Sequence, residues 1–120
     1  MKEQRGGANM CTQSQALSIL EEVYLQCSQR FPCAIQDAYL YGSYARGDYH
    51  AESDVDILLT VSTDNVAPLR RIAASISSAI SLERDVMVSV SLKPVAQFRQ
   101  YSNLQPFYQA VMREGIRYVG

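Results

Sequence analysis

Two long stretches of the chain repeat apolar residues every three or four positions, a spacing that predicts amphipathic helices. The first stretch runs from Thr12 to about Arg30. Thr12 or Ser14 can cap its N-terminus, because both side chains accept hydrogen bonds from free backbone N–H groups. Pro32 marks its end, since proline cannot continue a helix.

The second helix is predicted over about 66–82, with Asp64 or Asn65 as its N-terminal cap. Shorter helical segments are predicted where the same spacing persists over only a few residues. They cover 43–46, 94–100 and 105–113, and the last of them ends at Gly115, a residue type common at helix C-termini.

Three stretches alternate between apolar and polar residues, which is typical of half-buried strands. They cover 35–41, 54–61 and 85–92, and a short final strand is predicted over 116–119. In the third stretch the alternation places Asp85 on one face together with Met87, Ser89 and Ser91, while Val86, Val88, Val90 and Leu92 share the other.

The order of helix, strand, strand, helix, strand and helix predicts an α+β (α/β-like) fold, with a small mixed sheet flanked by helices. The strands over 54–61 and 85–92 are joined by a helix of crossover length, so they are either parallel neighbours or a split pair. We expect a disordered tail over residues 1–10 and a single domain over residues 11–120.

Composition narrows the class of protein. The chain has 120 residues, a net charge of −1 and no block of lysine or arginine, so nucleic acid is not expected as a partner. No signal peptide is visible, and no apolar run reaches the roughly 18 residues that a transmembrane helix needs. The three cysteines match no metal-binding spacing, and we expect reduced thiols in a cytoplasmic protein.

The chemistry is concentrated between the first two predicted strands. Gly42 and Ser43 follow the first strand, and after ten residues Asp54 and Asp56 open the second. Side chains two positions apart on a strand share a face, so the two carboxylates lie side by side and repel each other. A hard divalent cation relieves that repulsion, and a turn of small residues lets phosphate approach the backbone. The pattern therefore predicts phosphoryl or nucleotidyl transfer.

This spacing resembles the signature of the DNA polymerase beta-like nucleotidyltransferase superfamily. The strings Gly-Ser-Tyr-Ala-Arg-Gly and Ser-Asp-Val-Asp-Ile-Leu-Leu are similar to those of the minimal nucleotidyltransferases of bacteria and archaea. The resemblance covers roughly residues 15–119 and implies the nucleotidyltransferase fold. That superfamily carries a third carboxylate on a later strand, and Asp85 matches its position.

The resemblance implies a role for each residue of the pattern. Asp54, Asp56 and Asp85 would be the catalytic residues and would bind two Mg²⁺ ions, with Asp85 also able to take the proton of the attacking hydroxyl. The remaining residues would bind the nucleotide, ATP in the first instance. These are Gly42, which lets the backbone approach the triphosphate, Ser43, which offers donors to it, and Arg46, one helical turn further on.

The resemblance also implies a partner. The reaction would transfer AMP from ATP to a hydroxyl group, and we expect the acceptor to belong to a separate molecule. Minimal nucleotidyltransferases often pair, as antitoxins, with a small helical HEPN-domain toxin, which they adenylylate on a hydroxyl side chain. A homo-oligomer is a further arrangement that the sequence leaves open.

Two alternatives from other functional classes stay open at this point. The chain can neutralise a partner by stoichiometric binding, with weak or absent catalysis; the complete set of Gly42, Ser43, Asp54, Asp56 and Asp85 argues against this. It can also act on a small aminoglycoside-like hydroxyl compound, with Asp48 and Glu52 contributing to an acidic acceptor pocket.

Overall fold

The structure, a computed structural model, describes residues 11–101 and 103–119. The tail predicted over residues 1–10 lies outside the described part. The helices are α1 (Gln13–Arg30), α2 (Ser43–Arg46), α3 (Ala67–Arg84), α4 (Val95–Tyr101) and α5 (Pro106–Glu114). The strands are β1 (Ile35–Tyr41), β2 (Val55–Val61), β3 (Val88–Pro94) and β4 (Ile116–Arg117).

The four strands form one mixed sheet in the order β3-β2-β1-β4. β1 pairs antiparallel with both β2 and β4, whereas β2 and β3 are parallel neighbours. Helix α3 provides the crossover that a parallel pair requires. Of the two arrangements that the sequence allowed for the second and third strands, the structure therefore shows direct parallel pairing.

The two faces of the sheet bury different partners, and β2 shows the division most clearly. Val55, Ile57, Leu59 and Val61 point to one face, where they are fully buried in the main core with residues of α1 and α3. Leu58 points to the other face and packs in a smaller cluster with residues of α4 and α5. Asp56 lies on the same face as Leu58, one step nearer the start of the strand. The sheet thus holds this carboxylate at the rim of its less covered face.

Helix α1 begins as its sequence predicts. The Thr12 side chain accepts a hydrogen bond from the backbone N–H of Gln15, and the Gln15 side chain accepts one from the Thr12 backbone. This reciprocal pair satisfies two donors that would otherwise lack partners at the helix end. Thr12 is therefore the cap, and the alternative Ser14 lies inside the helix.

The cap predicted for the second long helix is wrong. Helix α3 has Val66 at its N-cap position, with no hydrogen bond from a capping side chain. Asn65 instead takes part in a local turn, in which its backbone N–H donates to the Thr63 hydroxyl. Proline in the first turn has a fixed backbone angle that suits a helix start, and Pro68 supplies it here.

The third strand also starts later than predicted. Helix α3 continues through Arg84 and ends on Asp85, whose backbone is left-handed with φ 56°. The strand begins only at Val88 and extends to Pro94. Aspartate tolerates the left-handed conformation better than most residues, so Asp85 is a helix-terminating residue and not the head of a strand.

These elements confirm the predicted α+β (α/β-like) class, with a small mixed sheet flanked by helices. In the described part of the chain, no helix combines the length and the apolar character needed to cross a membrane.

Candidate functional site

The end of β1 and the start of β2 meet at one edge of the sheet because the two strands are antiparallel. Tyr41, the last residue of β1, pairs with Asp56. Gly42 follows at once, with a positive φ of 79°. A Cβ atom added to Gly42 would lie 2.5 Å from the Asp56 Oδ2 atom. The small-residue turn and the carboxylate pair therefore form a single place, as their spacing predicts.

The turn itself is one short helical segment, α2. The carbonyl of Gly42 accepts hydrogen bonds from the backbone N–H groups of Ala45 and Arg46, both at 3.1 Å. Tyr44 anchors the segment, because its side chain is buried and stacks on the ring of Tyr49 with a centroid distance of 4.4 Å. This packing holds Gly42 and the half-buried Ser43 beside the start of β2.

The two carboxylates differ in environment. Asp54 is exposed, directly before β2, whereas Asp56 is half-buried. Burial raises the pKa of Asp56, the neighbouring charge of Asp54 raises it further, and Arg46 partly offsets both effects. Mg²⁺ in proteins is commonly held by one or two carboxylates together with substrate phosphates. The donor set of Asp54 and Asp56 fits such an ion.

Arg46 lies close enough to influence Asp56, but in this structure its guanidinium also meets acidic side chains. Its Nε atom donates to Asp48 Oδ2 at 3.1 Å, and its Nη1 atom lies 3.6 Å from Glu114 Oε1. The side chain is 42% exposed, so these ion pairs stabilise the fold little. Arg46 can exchange them for phosphate contacts at small cost.

Asp85 is not on a strand beside this pair, and its membership of a three-carboxylate site stays a prediction. Asp85 is exposed at the end of α3, three residues before β3 begins. Among residues 11–101 and 103–119, no three side chains of the types histidine, cysteine, aspartate and glutamate are grouped so that they could hold a metal ion. The physical reason is that helix α3 runs longer than its apolar spacing indicated.

Three residues at the rim were missed as site residues. The register of the parallel pair places Ser89 of β3 opposite Asp56 and Ser91 opposite Leu58. Ser91 shares a hydrogen bond with the Tyr41 hydroxyl; burial raises the pKa of Tyr41, the charge of Asp56 adds to the effect, and this hydrogen bond opposes it. Tyr41, Ser89 and Ser91 therefore border Asp56 on both sides. The polar positions of the alternating third strand were the signal that could have identified the serines.

Solved structures of low sequence identity share this fold. A provisionally named nucleotidyltransferase from Sulfolobus solfataricus superposes with a TM-score of 0.57 at 20% identity, covering 88% of this chain and 81% of that one. A toxin-antitoxin structure with AMP-PNP gives a TM-score of 0.53 at 22% identity, covering 83% and 73%. A complex of tri-AMPylated Shewanella oneidensis HEPN toxin with MNT antitoxin gives 0.51 at 18% identity, covering 91% and 73%. The nucleotidyltransferase fold is thereby confirmed.

Sequence comparison identifies the family in addition to the fold. A protein of Methanocaldococcus jannaschii, which carries the provisional name protein adenylyltransferase MJ0141, is 34% identical over 73 residues, covering 61% of this chain and 74% of that protein. The model of the nucleotidyltransferase domain family matches residues 20–117, a range that includes β1, the turn at α2 and the carboxylate pair at the start of β2. The chain therefore belongs to the nucleotidyltransferase domain family.

Proposed function

We propose that this nucleotidyltransferase transfers AMP from ATP, with Mg²⁺, to a hydroxyl group on a separate protein of the HEPN toxin type, and so acts as an antitoxin. The family supports the reaction class. The adenylyltransferase name of the archaeal relative supports AMP and a protein acceptor, and the toxin-antitoxin neighbours support the kind of partner. The observation that supports the proposal most directly is the close approach of Gly42 to the Asp56 carboxylate, which lies where a Cβ atom of residue 42 would be.

In this proposal one group of residues binds the triphosphate and another binds the metal ion. The open backbone at Gly42, the N–H and hydroxyl of Ser43 and the guanidinium of Arg46 bind the triphosphate. Asp54 and Asp56 hold the metal against it. When bound, Mg²⁺ supplies positive charge to the phosphate oxygens as negative charge develops there.

The reaction forms one bond to phosphorus and breaks one. The acceptor hydroxyl releases its proton to solvent while its oxygen bonds to the α-phosphorus, the bond from that phosphorus to the β-bridging oxygen breaks, and pyrophosphate leaves. The chain contributes by keeping the triphosphate and the acceptor in line at the sheet rim, where Tyr41 and Ser89 flank Asp56.

A second candidate function is neutralisation of the same kind of partner by stoichiometric binding, with slow catalysis. One observation favours it, namely that the three-carboxylate group expected from the sequence is not formed by the residues that the structure describes. The two candidates agree on the partner and differ on whether a nucleotide is transferred.

Two labels on ATP separate the candidates. The protein is incubated with Mg²⁺ and a co-expressed HEPN-domain protein, using ATP labelled at the α-phosphate in one reaction and at the γ-phosphate in another. AMP transfer predicts protein label from the α-position alone, removable by phosphodiesterase and absent with Asp56→Asn. Label from the γ-position would indicate a kinase. Tight complex formation without label from either position would support stoichiometric binding.

A further inference from the structure

The side chain next to Asp56 on β3 belongs to Ser89. The register of the parallel pair places Asp56 opposite Ser89, and the Val55 backbone N–H donates to the Met87 carbonyl at 2.9 Å, which fixes the same alignment at the start of both strands. Residues paired across parallel strands share a face. Ser89 therefore flanks Asp56 on the side away from Tyr41.

A hydrogen bond also indicates that Ser89 and Asp56 lie on the same face of the sheet. The Ser91 side chain is hydrogen-bonded to the hydroxyl of Tyr41, and Tyr41 is the antiparallel partner of Asp56. Ser89 lies two residues before Ser91, so it points to the same face. Ser89 is exposed, and its small side chain leaves the space beside the Asp56 carboxylate accessible to solvent.

Asp85 occupies a different place in the fold. It precedes Ser89 by four residues and serves as the left-handed end of α3. Its backbone conformation and its place before the first paired residue of β3, Val88, keep it out of the row that contains Asp56 and Ser89.

We propose that Ser89 occupies the third ligand place of the metal site, so that this chain offers two carboxylates and one hydroxyl in place of three carboxylates. The inference rests on the proposed function. The site then carries two negative charges in place of three, and affinity for a divalent cation depends on the number of charged ligands. Without nucleotide the site binds the cation weakly, and the triphosphate supplies the missing negative charge.

The test uses Mn²⁺ as the probe, because its free fraction can be read directly from its paramagnetic resonance signal. Binding is measured without nucleotide for the wild-type protein and for Ser89→Asp, Ser89→Ala, Asp85→Asn and Asp56→Asn. Ser75→Asp is the matched charge control, since Ser75 is exposed on α3, behind the opposite face of the sheet. Circular dichroism establishes that each variant is folded.

The proposal predicts that Ser89→Asp lowers the dissociation constant for Mn²⁺ about tenfold or more, while Ser75→Asp changes it less than about twofold. Asp85→Asn should leave it within about twofold of wild type, whereas Ser89→Ala should raise it about threefold or more, because the hydroxyl ligand is lost. Adding a non-hydrolysable ATP analogue should narrow the gap between wild type and Ser89→Asp, since phosphates then supply the charge.

Two results would overturn the proposal while leaving the proposed function intact. One is Mn²⁺ binding by wild type that Ser89→Asp does not tighten beyond the Ser75→Asp control. The other is a loss of binding in Asp85→Asn as large as in Asp56→Asn, which would make Asp85 the third ligand. Failure of every variant to bind Mn²⁺, with or without the analogue, would overturn the metal part of the proposed function as well.

Discussion

Gly42 lies so close to Asp56 that a methyl group on its Cα atom would come within 2.5 Å of the carboxylate oxygen Oδ2. Gly42 has φ 79° and ψ −156°, a combination that is essentially restricted to glycine. The backbone conformation therefore requires glycine at this position, and a larger residue would in addition push the Asp56 carboxylate aside. The short distance also means that the turn proposed to bind phosphate lies directly beside the carboxylate proposed to bind the cation.

Gly42→Ala should lower the free energy of unfolding by about 2–4 kcal/mol, through backbone strain and the clash with Asp56. Gly47→Ala is the matched control, because Gly47 also has a positive φ, 92°, but has no atom within 4 Å of an added Cβ. The control should cost about 1–2 kcal/mol, from backbone strain alone. Urea denaturation measures both values.

A double-mutant cycle isolates the contact. In an Asp56→Ala background the cost of Gly42→Ala should fall by about 0.5–3 kcal/mol, and the cost of Gly47→Ala should not change. Equal costs of Gly42→Ala in both backgrounds would show that backbone strain, and not contact with Asp56, requires the glycine.

Asp56→Asn should make the metal-free protein more stable at neutral pH. Burial and the charge of Asp54 raise the pKa of Asp56 in the folded state above its ordinary value of 3.8. The folded protein then binds the Asp56 proton more tightly than the unfolded chain does, so this group's contribution to stability is lost as pH rises from 3.8 through the raised pKa.

The measurement is urea denaturation of wild type and Asp56→Asn from pH 3 to pH 7 without divalent cations. The difference in free energy of unfolding should grow in favour of the variant as pH rises, and then level off. With Mg²⁺ and ATP the order should reverse, since binding stabilises only wild type, by about 2.7 kcal/mol at a hundredfold excess over Kd. A variant that is less stable at pH 7 without cation would show that the Asp56 carboxylate makes a structural bond.

Arg46→Ala should weaken ATP binding about tenfold or more while changing the free energy of unfolding by less than about 1 kcal/mol. Its partners Asp48 and Glu114 are reached through exposed ion pairs. Arg113→Ala is the control, because Arg113 also pairs with Glu114 and is 67% exposed. Calorimetric titration with ATP and Mg²⁺ should distinguish the two variants, and equal Kd values would remove Arg46 from the nucleotide site.

Asp85→Asn should be nearly neutral, within about 0.5 kcal/mol of wild-type stability, because asparagine also tolerates the left-handed conformation. Asp85→Val should cost about 1–2 kcal/mol, since a β-branched residue does not. The rate of AMP transfer should be unchanged in the asparagine variant. A rate lower by orders of magnitude would return Asp85 to the mechanism.

Local spacing predicted much of the fold, since each prediction depended on only a few neighbouring residues. The strand over 35–41, the turn over 43–46 and the cap at Thr12 all appear in the structure as expected. In each case one short-range effect dominates: alternation, a glycine followed by a short helical run, or a reciprocal side-chain hydrogen bond.

The third strand shows where local reasoning fails. Which residue of β3 lies beside Asp56 depends on the register between β2 and β3, and these strands are separated in sequence by the whole of α3. A polar alternating strand does not reveal which of its residues lies opposite a given residue of its neighbour. The sequence favours Asp85 because it is a carboxylate, whereas strand pairing places Ser89 beside Asp56.

The antiparallel pairing of β1 and β2 means that a single hairpin supplies Gly42, Ser43, Asp54 and Asp56. The connection from Gly47 to Ser53 joins two points that the sheet already holds together, and its exposed tip is formed by Ala51 and Glu52. Residues can be inserted at that tip with little displacement of the carboxylates, because loop length costs little once the ends are fixed, whereas Tyr49 must remain stacked on Tyr44. Changes confined to the exposed part of this loop should therefore leave the relation between Gly42 and Asp56 intact.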